Sequence, residues 1–465
     1  MMDAVAASTS PRSRLWLGPC AIALACDAPA EAATMPTVPL PAPAAVRPRF
    51  TPEPPAEAAS DAADEAPPYE LHPLDVEAAT HPLEDPSGQA LSHFYAALAR
   101  IDRRSVDADA ALVRVSHWGD SSIGRDGFPD ALRSHFWQRF GDGGPGFIMP
   151  ESFTGFYQPK SVRLEGNEEW SHCYIAYRCR PDGNYGFGGV TFSSTGGALT
   201  TFQTIRQRAA RKWGRSWARA ELWYAAVPHG GQLSVRIDGR RPIRLKTANE
   251  VWEDRWWSTR LEPGPHEIDL RARGYGRSRV YGMVLESEGP GVVWDAIPMS
   301  GAFTKRLREW DDEHIRQQVA HRKPDLIVFQ YGGNDLKRIA TGTDPREFRE
   351  ELDDVLPKLL EGHPKASCLV VGITAHGRSG HFEVQYDQVR TIANVQREAA
   401  LAHGCAFFDS LAAMGDEEAL VQWRRKNLIW DDLAHLSPRG RVQMAQILWE
   451  AIISDYVEFR RGEPT

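Results

Sequence analysis

From Gly291 onward, short apolar runs alternate with longer segments whose apolar residues recur at helical spacing, and few folds accept that order. Residues 292–297, 326–331, 368–373 and 406–409 read as strands, and 305–321, 345–360, 386–403 and 438–456 as helices. A helix between successive strands implies a parallel sheet flanked by helices, because a parallel connection has to cross back over the sheet. Leu326-Ile327-Val328-Phe329 is apolar throughout, as suits a strand buried on both faces. The same unit begins far upstream. Order starts near Gly88, with Leu91, Phe94, Tyr95 and Leu98 at helical spacing, and a strand at 112–115 and a helix at 128–140 follow.

Residues 147–289 break the pattern. Short alternating segments at 174–177, 220–224, 233–237, 266–270 and 280–285, separated by Gly, Pro and Asn, read as strands of a β-sandwich, with Asp238-Gly239 as a turn. The α/β unit is therefore split into 88–146 and 290–465, with an all-β jelly-roll or sandwich domain inserted at 147–289. A chain of 465 residues is long enough for at least two cores.

Four polar blocks belong to the α/β unit: Gly119-Asp120-Ser121, Gly301, Gly332-Gly333-Asn334-Asp335 and Asp432-Leu433-Ala434-His435. Singly, each reads as a turn or a helix cap. Together they supply the parts of a serine esterase. A serine hydroxyl is a poor nucleophile until a base takes its proton, and charge on the attacked carbonyl needs preorganised donors. Ser121 is the candidate nucleophile, His435 its base and Asp432 the group that orients His435. The amides of Ser121 and Gly301 and the Asn334 side chain are the candidate oxyanion donors. Asp120 is expected to support its own turn, and His117 to pack beside the nucleophile strand.

In this order and context the blocks resemble the SGNH (GDSL-like) hydrolase superfamily, whose four blocks carry Ser, Gly, Asn and His. The resemblance implies a three-layer, flavodoxin-like parallel sheet. His117-Trp118-Gly119-Asp120-Ser121, the glycine-rich stretch from Phe140 to Phe147 and the inserted β domain are similar to the peptidoglycan O-acetylesterase branch, whose insert is of carbohydrate-binding type. That branch implies an acetylesterase acting on a cell-envelope polysaccharide, peptidoglycan first, without a cofactor. Ser122 stands where the branch often has His, a departure that bears on substrate more than on chemistry. Two other readings stay open: an O-acetyltransferase with the same triad, and a glycan-binding protein on a degenerate hydrolase. Because the insert supplies none of the four blocks, replacing it with a short linker is expected to spare small esters.

Other signatures fail. Gly-x-Ser-x-Gly, a Walker A loop and His-Glu-x-x-His do not occur, and the dinucleotide-like glycines at 141–146 follow a helix instead of a strand. A net charge of −8 gives no general attraction to nucleic acid, and no apolar run after the N-terminus is long enough to span a bilayer. Arg12 and Arg14, the apolar run 15–26 and the Ala-rich sequence after it read as an export signal over residues 1–30, which implies the periplasm or cell envelope. Ala23-Leu24-Ala25-Cys26 is similar to a bacterial lipobox, making Cys26 a candidate lipid anchor.

Residues 31–87, rich in Pro and Ala, read as a disordered linker. In the insert, Trp213, Trp217, Trp223, Trp252, Trp256 and Trp257 suit either its core or the face of a sugar. The basic run Arg206, Arg208, Arg211, Lys212, Arg215 and Arg219 suits either solvent or an anionic glycan. Cys368 and Cys405 begin successive strands and either pair or stay as buried thiols; the cysteines show no metal spacing.

Overall fold

The computed structural model describes residues 69–103, 112–205, 213–378 and 383–462. The expected export signal with Cys26, most of the expected linker, and Arg206, Arg208, Arg211 and Lys212 lie outside the described residues.

Five parallel strands form one sheet: β1 (Leu112–Gly119), β2 (Gly291–Pro298), β3 (Leu326–Gln330), β4 (Ser367–Val371) and β5 (Ala406–Phe408). Their spatial order is β2-β1-β3-β4-β5, the flavodoxin-like arrangement, which reverses direction between β1 and β3. Every residue of β3 and β4 is buried, which is why their apolar runs do not alternate. The longer helices are α1 (Ser92–Asp102), α2 (Gly127–Phe140), α3 (Asp312–Arg322), α4 (Pro345–Leu360), α5 (Tyr386–Ala402) and α6 (Pro438–Gly462), with α2 packed on α6 and α4 on α5. Local rules fix α4 well: Asp344 caps it through Arg346 N, Pro345 occupies its first turn, and Phe348, Leu352, Val355, Leu356 and Leu359 form its buried stripe.

Three expectations need correction. The helix expected at 305–321 is broken: the 3₁₀ turn Thr304–Glu309 ends at Trp310, and α3 restarts behind Asp311, whose side chain caps it by accepting from His314 N. The strand expected at 174–177 is Ser171–Tyr174, after which a 3₁₀ turn and left-handed Arg178 bend the chain back to a Cys173–Cys179 disulfide. Residues 69–87 are packed instead of forming linker: Arg139 of α2 donates to Asp75 and to the Tyr69 hydroxyl, and Glu84 exchanges backbone hydrogen bonds with Phe407. Ion pairs, main-chain bonds and the irregularly spaced Val76, Ala79 and Leu83 against the core hold this segment, so its sequence shows no apolar period. Cys368 and Cys405 form a second disulfide, with Cα atoms 4.5 Å apart.

The insert consists of two antiparallel sheets. One runs Glu253–Gly264, Trp217–Ala226, Ser278–Glu286, Val190–Ser194, Ser171–Tyr174, with Gly146–Ile148 also paired to Ser278–Glu286. The other runs Arg163–Gly166, Leu199–Gln203, Glu267–Gly274, Gln232–Ile237, Ile243–Lys246. Ile268, Leu270 and Ala272 alternate into its core. Asp238 and Gly239 both take positive φ, as a two-residue hairpin turn requires. Trp217 and Trp223 are wholly buried, and the Trp256 ring stacks 4.0 Å from His321 of α3, so these indoles serve packing. The insert is also joined to the α/β unit by buried charge. Glu286 pairs with Arg114 of β1 at 2.8 Å and with Arg322 of α3 at 2.6 Å, and Arg322 reaches Asp295 of β2 at 2.7 Å.

Candidate active site

Gly119 ends β1 where it passes close to β3. A Cβ there would lie 2.8 Å from the Gln330 carbonyl oxygen, so a side chain has no room. The next residue, Asp120, is buried and accepts from Ser122 N at 2.8 Å, supporting its own turn, and from Gly333 N at 3.0 Å, tying that turn to the loop after β3. Both loops leave the sheet where its strand order reverses, the crevice in which open parallel sheets hold ligands.

Ser121 opens the 3₁₀ turn Ser121–Asp126 with its Oγ 2.8 Å from His435 Nε2, and His435 Nδ1 lies 2.8 Å from Asp432 Oδ2. With Nδ1–H donating to Asp432, Nε2 is left to accept from the serine hydroxyl. A tight turn brings the acid and the imidazole together. Asp432 Oδ1 accepts from the backbone N–H groups of Ala434 and His435, each at 3.0 Å, while Leu433 is held left-handed at φ 57°. Burial alone would raise the Asp432 carboxyl, but those backbone donors and the His435 ring outweigh it and hold the group below the ordinary carboxylate range.

Asn334 Nδ2 donates to the Ala302 carbonyl at 3.1 Å, linking the loop after β3 to the loop after β2, where Gly301 takes φ 80°. Beneath it, Asp335 accepts from the backbone and hydroxyl of Thr304, and burial raises its carboxyl to about 6. Ser121, Asn334 and His435 line one cavity of about 130 Å³; Asp432 stands behind His435, and Gly301 lies on the neighbouring loop outside that lining.

Sequence reasoning missed three contributors. His376, past the end of β4, lines the cavity; its Nδ1–H donates to the Thr374 carbonyl at 2.8 Å, and burial lowers its pKa, keeping it neutral. Its position beyond the C-terminal end of a parallel strand was the available signal. The other two come from the insert and had none. The Phe156 ring centre lies 5.8 Å from that of His435, and the Tyr174 hydroxyl donates to the Ser300 carbonyl at 2.9 Å, steadying the residue before Gly301. The insert thus borders the site. His117 is a packing residue. Burial, with Arg133 nearby, takes it down to about 3 despite its bond to Gln330, and Trp294 donates to its Nδ1.

Residues 255–441 match the model of the GDSL-like lipase/acylhydrolase family, a stretch that includes Gly301, Asn334, Asp432 and His435; Ser121 lies upstream, beyond most of the insert. Over that stretch the chain is similar to the GDSL-like lipase/acylhydrolase family. A solved structure described as a peptidoglycan O-acetylesterase in action shares the fold of this chain, with a TM-score of 0.64 at 20% identity over 80% of this chain and 97% of that one. Two others are similar only at low TM-score and carry no argument. They are a lipase/acylhydrolase from Enterococcus faecalis (0.28; 18% identity, 35% of this chain and 76% of that) and a family two carbohydrate esterase from Cellvibrio japonicus (0.24; 12%, 63% and 98%). No curated protein matches the sequence.

Proposed function

We propose that this protein is an exported serine esterase that removes O-acetyl groups from a cell-envelope polysaccharide, peptidoglycan foremost, through an acyl-serine intermediate. The hydrogen-bonded row from Ser121 through His435 to Asp432 carries the reading. Ser121 attacks the acetyl carbonyl as His435 takes its proton, and the amides of Ser121 and Gly301 with the Asn334 side chain receive the developing oxyanion. His435 gives the proton to the departing sugar oxygen. It then deprotonates a water that attacks the acyl-serine and frees acetate. The modest volume of the cavity supports a short acyl group over a long chain, and the fold shared with a peptidoglycan O-acetylesterase supports the polymer. Export rests on the signal-like residues 1–30.

The test is acetate release from O-acetylated peptidoglycan, acetylated xylan and a long-chain ester, each with and without an added sugar acceptor. Peptidoglycan should release acetate fastest, whether or not acceptor is present. Faster turnover of the long-chain ester would make the protein a lipase, and acetyl groups delivered to the acceptor in place of water would make it a transferase.

A further inference from the structure

Two arginines at the turn after Ser121, Arg125 and Arg441, have no acid partner among the described residues. Arg125, four residues after Ser121, is exposed; its Nε donates to the Gly155 carbonyl at 3.3 Å, and its guanidinium lies 5.5 Å from the centre of the Phe156 ring. That ring in turn flanks His435. Arg441 is only 8% exposed. Its Nη1 donates to the Gly124 carbonyl at 3.2 Å, its Nε has no partner, and its side chain lies against Gly127. Neither guanidinium forms an ion pair among the described residues, whereas Arg133, Arg139 and Arg322, as buried as Arg441, each grip carboxylates. The acid nearest in effect to Arg441 is Asp432, which is already engaged by His435. A buried cation without a counter-charge is costly, and the like charge of Arg125 nearby adds to the cost for Arg441.

We propose that Arg125, backed by Arg441, forms a subsite for a carboxylate carried by the substrate glycan, so that the esterase selects acyl esters on acidic sugars. The proposal rests on the esterase reading and narrows its substrate class. A guanidinium binds a carboxylate through paired N–H donors, and the Phe156 face beside it offers an apolar surface for the sugar ring. Acidic glycan would supply the counter-charge that the protein does not.

The experiment compares an O-acetylated methyl glucuronoside with its carboxyl methyl ester, the same acetyl group on a charged and a neutral sugar, and adds an O-acetylated sugar phosphate as a third arm. Wild-type kcat/KM should favour the free carboxylate about tenfold, chiefly through KM, and the preference should shrink at high salt. Arg125→Gln should reduce the ratio to less than about twofold, while Arg125→Lys, a point charge without the planar fork, should retain part of it. Equal wild-type rates on the two uronosides, a ratio unchanged in Arg125→Gln, or a preference for phosphate over carboxylate would each overturn the subsite while leaving the esterase reading intact. If no ester releases acetate, the esterase reading falls, and calorimetric titration of the uronoside and its methyl ester into the Ser121→Ala chain decides the subsite: equal affinities reject it.

Discussion

Ser121 and His435 act as a unit in the proposed reaction, so Ser121→Ala and His435→Ala should each lower kcat on a small acetyl ester by about a thousandfold or more, with the fold intact by circular dichroism. Asp432 is about half exposed, where water can replace part of its effect on the imidazolium, and Asp432→Asn should cost less than Ser121→Ala. Asn334→Ala should reduce kcat by roughly 100- to 1000-fold with little change in KM, since its donor acts on charge that develops in the transition state. A raised KM at unchanged kcat would reassign Asn334 to ground-state binding. His117 makes a prediction about pH. Folded, it holds out against protonation to about 3, whereas an unfolded histidine takes a proton near 6.5. Between those values the unfolded chain binds the extra proton, so this contribution is whole above the unfolded pKa and is lost as pH falls. His117→Gln should flatten the pH dependence of unfolding free energy there by up to about 1.4 kcal/mol per pH unit, measured by urea titration. Equal slopes in the two proteins would count against a buried neutral imidazole.

The disulfides act on whole elements. Cys368 and Cys405 tie the start of β4 to the residue before β5 across 37 positions, and loop-closure entropy gives such a link about 4 kcal/mol; Cys173–Cys179, spanning 6, gives about 2 kcal/mol. Denaturant unfolding of Cys368→Ala and Cys179→Ala variants should rank the losses in that order. That the first pair could meet was legible, since each cysteine opens a strand; that it does meet depends on β4 and β5 being neighbours, a pairing no local pattern encodes. The same division runs through the molecule. The bounds of α4 could be read from Asp344, Pro345 and a regular apolar stripe, because those rules act within a few residues. Sheet order could not, because Val115 meets Leu326 across more than two hundred residues. Asp311 hid a helix start inside an apparently continuous helix, as a capping aspartate looks like any surface acid until its hydrogen bond is seen. At the site, Ser121, Gly301, Asn334, Asp432 and His435 could be singled out because acyl transfer needs those residue types, the first three in loops after strands and the last two just before a helix. Phe156 and Arg441 were not, because an aromatic in a loop and an arginine in a helix have no distinguishing spacing.

For the molecule as a whole, the decisive question is whether the sandwich can be separated from the α/β unit. Its last strand carries Glu286, which answers Arg114 and Arg322; its loops supply Lys160 N to Asp126 and the Phe156 carbonyl to Arg125 N, and the end of another strand supplies Tyr174 to Ser300. Breaking a buried ion pair from one side leaves an uncompensated charge, at a cost of about 3–5 kcal/mol, a large share of the stability of an ordinary domain. Excision would strip Arg114 of Glu286, leave Arg322 with Asp295 alone and remove the wall beside His435 in one step, so the loop entropy of the new linker is the smaller term. Replacing residues 147–289 with a Gly-Ser linker should therefore abolish turnover of small esters as well as polymer, and the intact chain should unfold in one calorimetric transition whose van't Hoff and calorimetric enthalpies agree. Arg322→Met, which breaks the cluster without touching the site, should lower the midpoint of that transition before it affects kcat. A folded excised chain that hydrolyses a small acetyl ester at close to the wild-type rate, or two separate transitions in the intact protein, would show that the sandwich is an independent module after all.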